Sequence, residues 1–84
     1  MNNNTEKRNT PNALYTVKEV AQILHTNVSY VYDLIKSGHL PALKLGSYKV
    51  RNTTLETFLN EYEGKDLTDP YNVKTIYQDE PDSE

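Results

Sequence analysis

From Leu14 to Tyr62 apolar residues recur along the chain with a period that changes twice. Val17, Val20, Ala21 and Leu24 fall at helical spacing, and Ile23 widens the stripe. Thr16 followed by Glu19 is a T-x-x-E capping box, a reciprocal pair that satisfies backbone N–H groups left free at a helix start. A first helix is therefore predicted after Thr16, ending near His25. A second must follow almost at once, because Val31, Leu34 and Ile35 repeat the i, i+3, i+4 pattern. Asn27 is its best N-cap, with Ser29 the competitor. Lys36 suits the negative end of the helix dipole, and Gly38 suits the left-handed position just beyond it. Two helices of about ten residues joined by so tight a turn make a helix-turn-helix unit.

The period then changes to that of a strand. Ala42 to Leu45 and Tyr48 to Arg51 flank Gly46-Ser47, a plausible two-residue hairpin turn in which Gly supplies a positive φ. With the turn there, Leu43, Leu45 and Val50 face inward, and Lys44, Lys49 and Arg51 face outward. A second T-x-x-E box, Thr53 and Glu56, opens a third helix with Leu55, Phe58, Leu59 and Tyr62 inward and Gly64 as its stop. The predicted fold is mainly α with a small β-hairpin, a winged helix-turn-helix in the order helix, helix, hairpin, helix. It occupies residues 13–64. Residues 1–12, Asn-rich and nearly free of apolar side chains, read as a disordered arm. Residues 65–84 read as an acidic tail, disordered or conditionally ordered. Within it YNVKTIY has strand-like composition and could pair with a wing edge or a second protomer.

Composition narrows the possibilities. A chain of 84 residues makes one small domain, with a stability of roughly 3–5 kcal/mol. The absence of cysteine excludes a disulfide framework and any thiolate metal site. No run approaches the roughly 18 apolar residues of a membrane span, and the N-terminus has no apolar signal region. A soluble, cytoplasmic protein with no membrane partner is expected. The net charge of −3 is unevenly spread. Residues 1–63 hold seven Lys/Arg and six Asp/Glu, and residues 64–84 hold two Lys and six acids. Against that background, Ser37 to Arg51 carries Lys44, Lys49 and Arg51 and no acid at all.

Nothing in the sequence suggests catalysis, so the protein is not expected to be an enzyme. It has no Gly-rich phosphate loop, no cysteine nucleophile and no confined carboxylate pair, and Glu56, Glu61 and Glu63 read as a solvated helix face. No cofactor and no metal are expected: His25 and His39 are isolated and read as solvated surface residues. Tyr15 and Tyr30 read as packing residues, Lys18 as a solvated helix charge, and Tyr32 either as packing or as an exposed contact. On the second helix, burying Val31, Leu34 and Ile35 leaves Val28, Ser29, Tyr32, Asp33 and Lys36 outside.

The run Leu14 to Leu59 resembles the excisionase-family DNA-binding domain, a compact relative of the MerR-like winged helix. The resemblance rests on "LYTVKEVA", "VYDLIKSGHLPALKLG" and "TLETFL" in that order and at those distances, about 46 of 84 residues. Val28 and Asp33 stand where that family often has arginine, His25-Thr26-Asn27 replaces its Gly-Val-Ser turn, and the hairpin is about one residue short. The resemblance implies a second helix in the major groove and a wing on the backbone or in the adjacent minor groove. The implied DNA contacts are Asn27, Val28, Ser29, Tyr32, Asp33 and Lys36 on the helix, and Lys44, Gly46, Ser47, Tyr48, Lys49 and Arg51 on the wing. With few cations on the helix, the wing should carry most of the phosphate binding. The implied role is an excisionase of a mobile element, a recombination directionality factor that binds and bends attachment-site DNA for a tyrosine or serine integrase in a bacterial cell. One helix and one wing cover little duplex, so cooperative self-association on repeated sites is expected. A small phage or plasmid transcriptional regulator is the first alternative. A protein-interaction module docking on an integrase or polymerase is the second.

Overall fold

A computed structural model describes residues 13–76. The expected arm at 1–12 and the end of the expected tail, 77–84, lie outside the described residues. In chain order the elements are β1 (Leu14–Thr16), α1 (Val17–Ile23), α2 (Val28–Lys36), β2 (Leu43–Leu45), β3 (Ser47–Arg51), α3 (Asn52–Tyr62), β4 (Lys65–Asp66) and β5 (Lys74–Thr75). The architecture is a winged helix-turn-helix of three helices and small antiparallel strands, extended by two features. Strand β1 makes the wing a three-stranded sheet of order β1-β3-β2, and β4 pairs with β5 in a separate hairpin.

Both predicted helix starts in the helix-turn-helix are observed. Glu19 N–H donates to Thr16 Oγ1 at 3.1 Å and Thr16 N–H donates to Glu19 Oε1 at 2.8 Å, closing the capping box. Asn27, not Ser29, caps α2, its side-chain oxygen accepting from Tyr30 N–H at 2.8 Å. The helices also end alike. After α1, His25 N–H reaches Gln22 O and Thr26 N–H reaches Ala21 O; after α2, Gly38 N–H reaches Ile35 O and His39 N–H reaches Leu34 O. Each is a Schellman closure, which needs one residue at positive φ. Gly38 holds φ 89 without penalty, whereas His25 holds φ 58, a region in which His is better tolerated than most side chains.

The core consists of Val17, Val20, Ala21, Val31, Leu34, Leu40, Val50, Leu55 and Phe58. Leu40, in the segment between α2 and the wing, is completely buried. Its N–H and that of His39 both donate to Leu34 O at 3.1 Å, which turns the chain under α2 and drives the side chain inward. Ile35 is half-buried, while Ile23 and Leu59, placed in the apolar stripes by spacing, are largely exposed.

The wing corrects the expected register. Leu45 pairs with Ser47, Lys44 with Tyr48 and Leu43 with Lys49, so Gly46 alone forms the apex at φ 80. A two-residue turn would have set Leu43 opposite Val50. Moving the pairing by one residue sends alternate side chains to the other face. Val50 stays buried, but Leu43 is 41% and Leu45 58% exposed. The cations are divided as well: Lys49 and Arg51 share the outer face with the leucines, and Lys44 shares the inner face with Tyr48.

The start of α3 also differs from expectation. Arg51, still paired with Leu14, is the last extended residue, and the helix begins at Asn52 with no side-chain cap. Thr53 therefore lies inside the first turn and cannot cap with Glu56. Asn52 N–H instead donates to Ala13 O at 3.0 Å. Residues 65–76, the start of the tail expected to be disordered or conditionally ordered, form a hairpin. Asp66 accepts from the Thr68 N–H and hydroxyl at 3.0 and 2.6 Å, and Asp69 accepts from Tyr71 N–H at 3.0 Å, local bonds that spend acidic side chains on closing turns. The hairpin seats on the domain through the Tyr30 hydroxyl, which donates to Leu67 O, and through His39, whose Nε2–H donates to Pro70 O at 2.6 Å. That leaves His39 Nδ1 to accept from the Tyr62 hydroxyl at 2.9 Å. His39 is thus half-buried and doubly bonded, not a solvated surface residue.

Two outcomes follow. Leu40→Ala should cost about 2–5 kcal/mol in denaturant unfolding, whereas Leu45→Ala should change stability by less than about 0.5 kcal/mol; equal losses would contradict the one-residue turn. Burial, and then the nearby Asp66 and Asp33 carboxylates, raise the Tyr30 phenol above its ordinary value, favouring its neutral form in the fold. That contribution is complete below about pH 10 and is lost as pH rises through the folded-state value. Stability measured from pH 8 to 11 should therefore fall at the alkaline end in the native protein. Tyr30→Phe should flatten this fall and, by losing the bond to Leu67, cost about 1 kcal/mol at neutral pH.

Candidate nucleic-acid interface

Helix α2 presents its first turn to solvent. Val28 and Ser29 are exposed immediately after the Asn27 cap, and Lys36 is exposed in the last turn. Tyr32 and Asp33, one turn further along the same side, are half-buried. Asn27 is exposed, but its side-chain oxygen is held by Tyr30 N–H, so its first task is to cap. The backbone N–H groups at this end and the positive end of the helix dipole suit an anionic backbone.

The sheet brings the wing alongside this helix. Tyr48 on the inner face of β3 meets Tyr32 edge-on, with ring centroids 6.0 Å apart at 61°. Lys44 Nζ lies 4.4 Å from the centre of the Tyr48 ring, a cation–π contact within the wing. Thr16, Val17, Lys18, Val28, Tyr32, Ser47 and Tyr48 line a shallow cleft of about 210 Å³ between the start of α1, the start of α2 and the wing. Tyr32 therefore packs and lines the cleft at once, which joins the two readings its position allowed. Lys18 belongs to this surface and was missed. Its exposed position on α1 gives no sign in sequence of which groove it borders, because the border is formed by distant β3.

The outer face has a different character. Lys49 Nζ donates to Ser47 Oγ at 2.8 Å, which draws its charge toward the Gly46 apex. Arg51 is exposed and, with Lys49, Leu43 and Thr54, lines a second depression of about 280 Å³. Among the described residues none of Lys18, Lys36, Lys44, Lys49 and Arg51 is held in an ion pair with a carboxylate. Of the helix and wing residues implied by the resemblance, Val28, Tyr32, Ser47 and Tyr48 meet across the cleft, while Lys49 and Arg51 lie on the other face of the ribbon. The wing cations are spread over both faces of the ribbon. No helix among the described residues is long and apolar enough to cross a membrane.

No curated protein and no solved structure matches the chain. The helix-turn-helix domain family matches residues 14–62, from β1 to the end of α3, which is more than half of the 84 residues. That architecture binds DNA, its second helix lying in the major groove. The match, the paired helices and the wing coincide over the same residues, and the chain belongs to the helix-turn-helix domain family.

Proposed function

We propose that this protein is a non-catalytic, sequence-specific DNA-binding accessory factor of a mobile element, an excisionase that binds and bends attachment-site DNA to assist an integrase. The observation that carries the reading is the Tyr32–Tyr48 contact, which sets the exposed start of α2 and the basic wing at a fixed spacing. In this reading α2 occupies the major groove. Ser29 meets a base edge, Val28 packs on a thymine methyl, and Asp33 accepts from a cytosine amino group. Lys44, Lys49 and Arg51, with Lys36 and Lys18, neutralise phosphates and fix the register without reading sequence. The small reading surface calls for several copies side by side on repeated sites. The protein works on bacterial DNA in the cytoplasm, with a tyrosine or serine integrase as its second partner. The runner-up, a small transcriptional regulator, uses the same interface and differs only in what the bound DNA does next.

The expected binding is strongly salt-dependent. About five phosphate contacts give a slope of log affinity against log salt near −4 to −4.5. Gel-shift titration of a Lys44/Lys49/Arg51→Ala variant should show that slope reduced by about 2.7. Undetectable binding at low salt by the native chain, unchanged in the triple variant, would rule out DNA as the partner. An in vitro excision assay with the cognate integrase, with and without the protein, separates the two roles. Excision that needs the protein identifies the directionality factor, and excision indifferent to it leaves the regulator.

A further inference from the structure

We infer that Leu45 is a wedge, inserted from the wing tip into a base step of the minor groove, and that it supplies the DNA bend. The inference rests on the DNA-binding reading above and concerns what one wing residue does there. Its starting point is the one-residue turn at Gly46. Leu45 stands directly beside the apex, opposite Ser47 and 58% exposed, on a side where nothing in the domain covers it. Leu43, Lys49 and Arg51 lie on the same face, so apolar and cationic side chains alternate there.

That mixture fits duplex DNA better than it fits another protein surface. The Lys49–Ser47 bond brings an ammonium to the tip beside Leu45. Lys44 lies on the opposite face, over Tyr48. A ribbon with cations on both faces and an uncovered leucine at its end matches a narrow groove with a phosphate ridge on either side and stacked bases at its floor. Apolar wedges in such grooves partly unstack a step and kink the duplex. A wedge also needs a rigid base, and the Tyr48–Tyr32 contact supplies one by bracing β3 on α2. The competing occupant is a second copy pairing along the free edge of β2. A symmetric antiparallel contact centred on that three-residue strand would set Lys44 opposite its own copy, and like charges directly opposite oppose the pairing.

The test compares the native chain with Leu45→Ala and Leu45→Phe, all three at full length. Binding and bending are measured on an end-labelled duplex by energy transfer, with 2-aminopurine at the contacted step. The native chain should bend the duplex by roughly 20–90° and raise the 2-aminopurine signal. Leu45→Ala should lose more than half of the bend and the 2-aminopurine rise, while its salt slope stays at the native value because no cation is removed. Leu45→Phe should keep both. A Leu45→Ala complex that bends DNA as much as the native one overturns the wedge and leaves DNA binding standing. Native protein that binds no duplex overturns both readings. A free native dimer that becomes monomeric in Leu45→Ala assigns the leucine to a second copy and also overturns the wedge.

Discussion

Strand β3 hydrogen-bonds to β1 along one edge and to β2 along the other, and it runs into α3 without an intervening residue. Because side chains alternate along it, those pairings decide at once which residues enter the core and which meet solvent. Val50 is completely buried against the helices, and its neighbours Lys49 and Arg51 must then point away. Tyr48, on the buried side but beyond the core, reaches Tyr32 on α2. Leu14 and Thr16 on β1 take the face of Arg51 and Lys49. In a domain of this size a single strand therefore links core, α2 and wing.

The helical half of the molecule is plain in the sequence because its signals are local. A capping box, an asparagine cap and the glycine beyond α2 act within four or five residues of the backbone groups they satisfy. The sheet was less legible for the opposite reason. Whether the apex holds one residue or two depends on how Val50 packs against distant helices, and the alternating pattern fits either register locally. Strand β1 is three residues long and pairs with a strand far along the chain, so nothing near Leu14 announces it. At Thr53 and Glu56 a sound local motif lost to a tertiary demand: Arg51 stays extended to pair with Leu14, and the helix must start directly after it. As for the candidate site, its helix residues were visible as the uncovered side of α2, while the division of wing cations between two faces followed only from the register.

Charge and hydrogen bonding set the wing apart from the 65–76 hairpin. The cations of the wing stand free of carboxylates among the described residues. The acids of the 65–76 hairpin, by contrast, are directed to their own backbone, Asp66 to Thr68 and Asp69 to Tyr71. Those Thr68 hydrogen bonds hold the Asp66 carboxyl below its ordinary value. The hairpin's attachments, Tyr30 and His39, lie on α2 and just past its end. Helix α2 is thereby supported by the aromatic contact with the wing on one side and by the hairpin on another.

The missing linker between β3 and α3 has a mechanical consequence. A wing joined to its domain by a loop could swing to follow the path of whatever it touches. Here β3 and α3 form a single crank, since any deflection of the ribbon must rotate the axis of α3 and disturb Leu55 and Phe58 in the core.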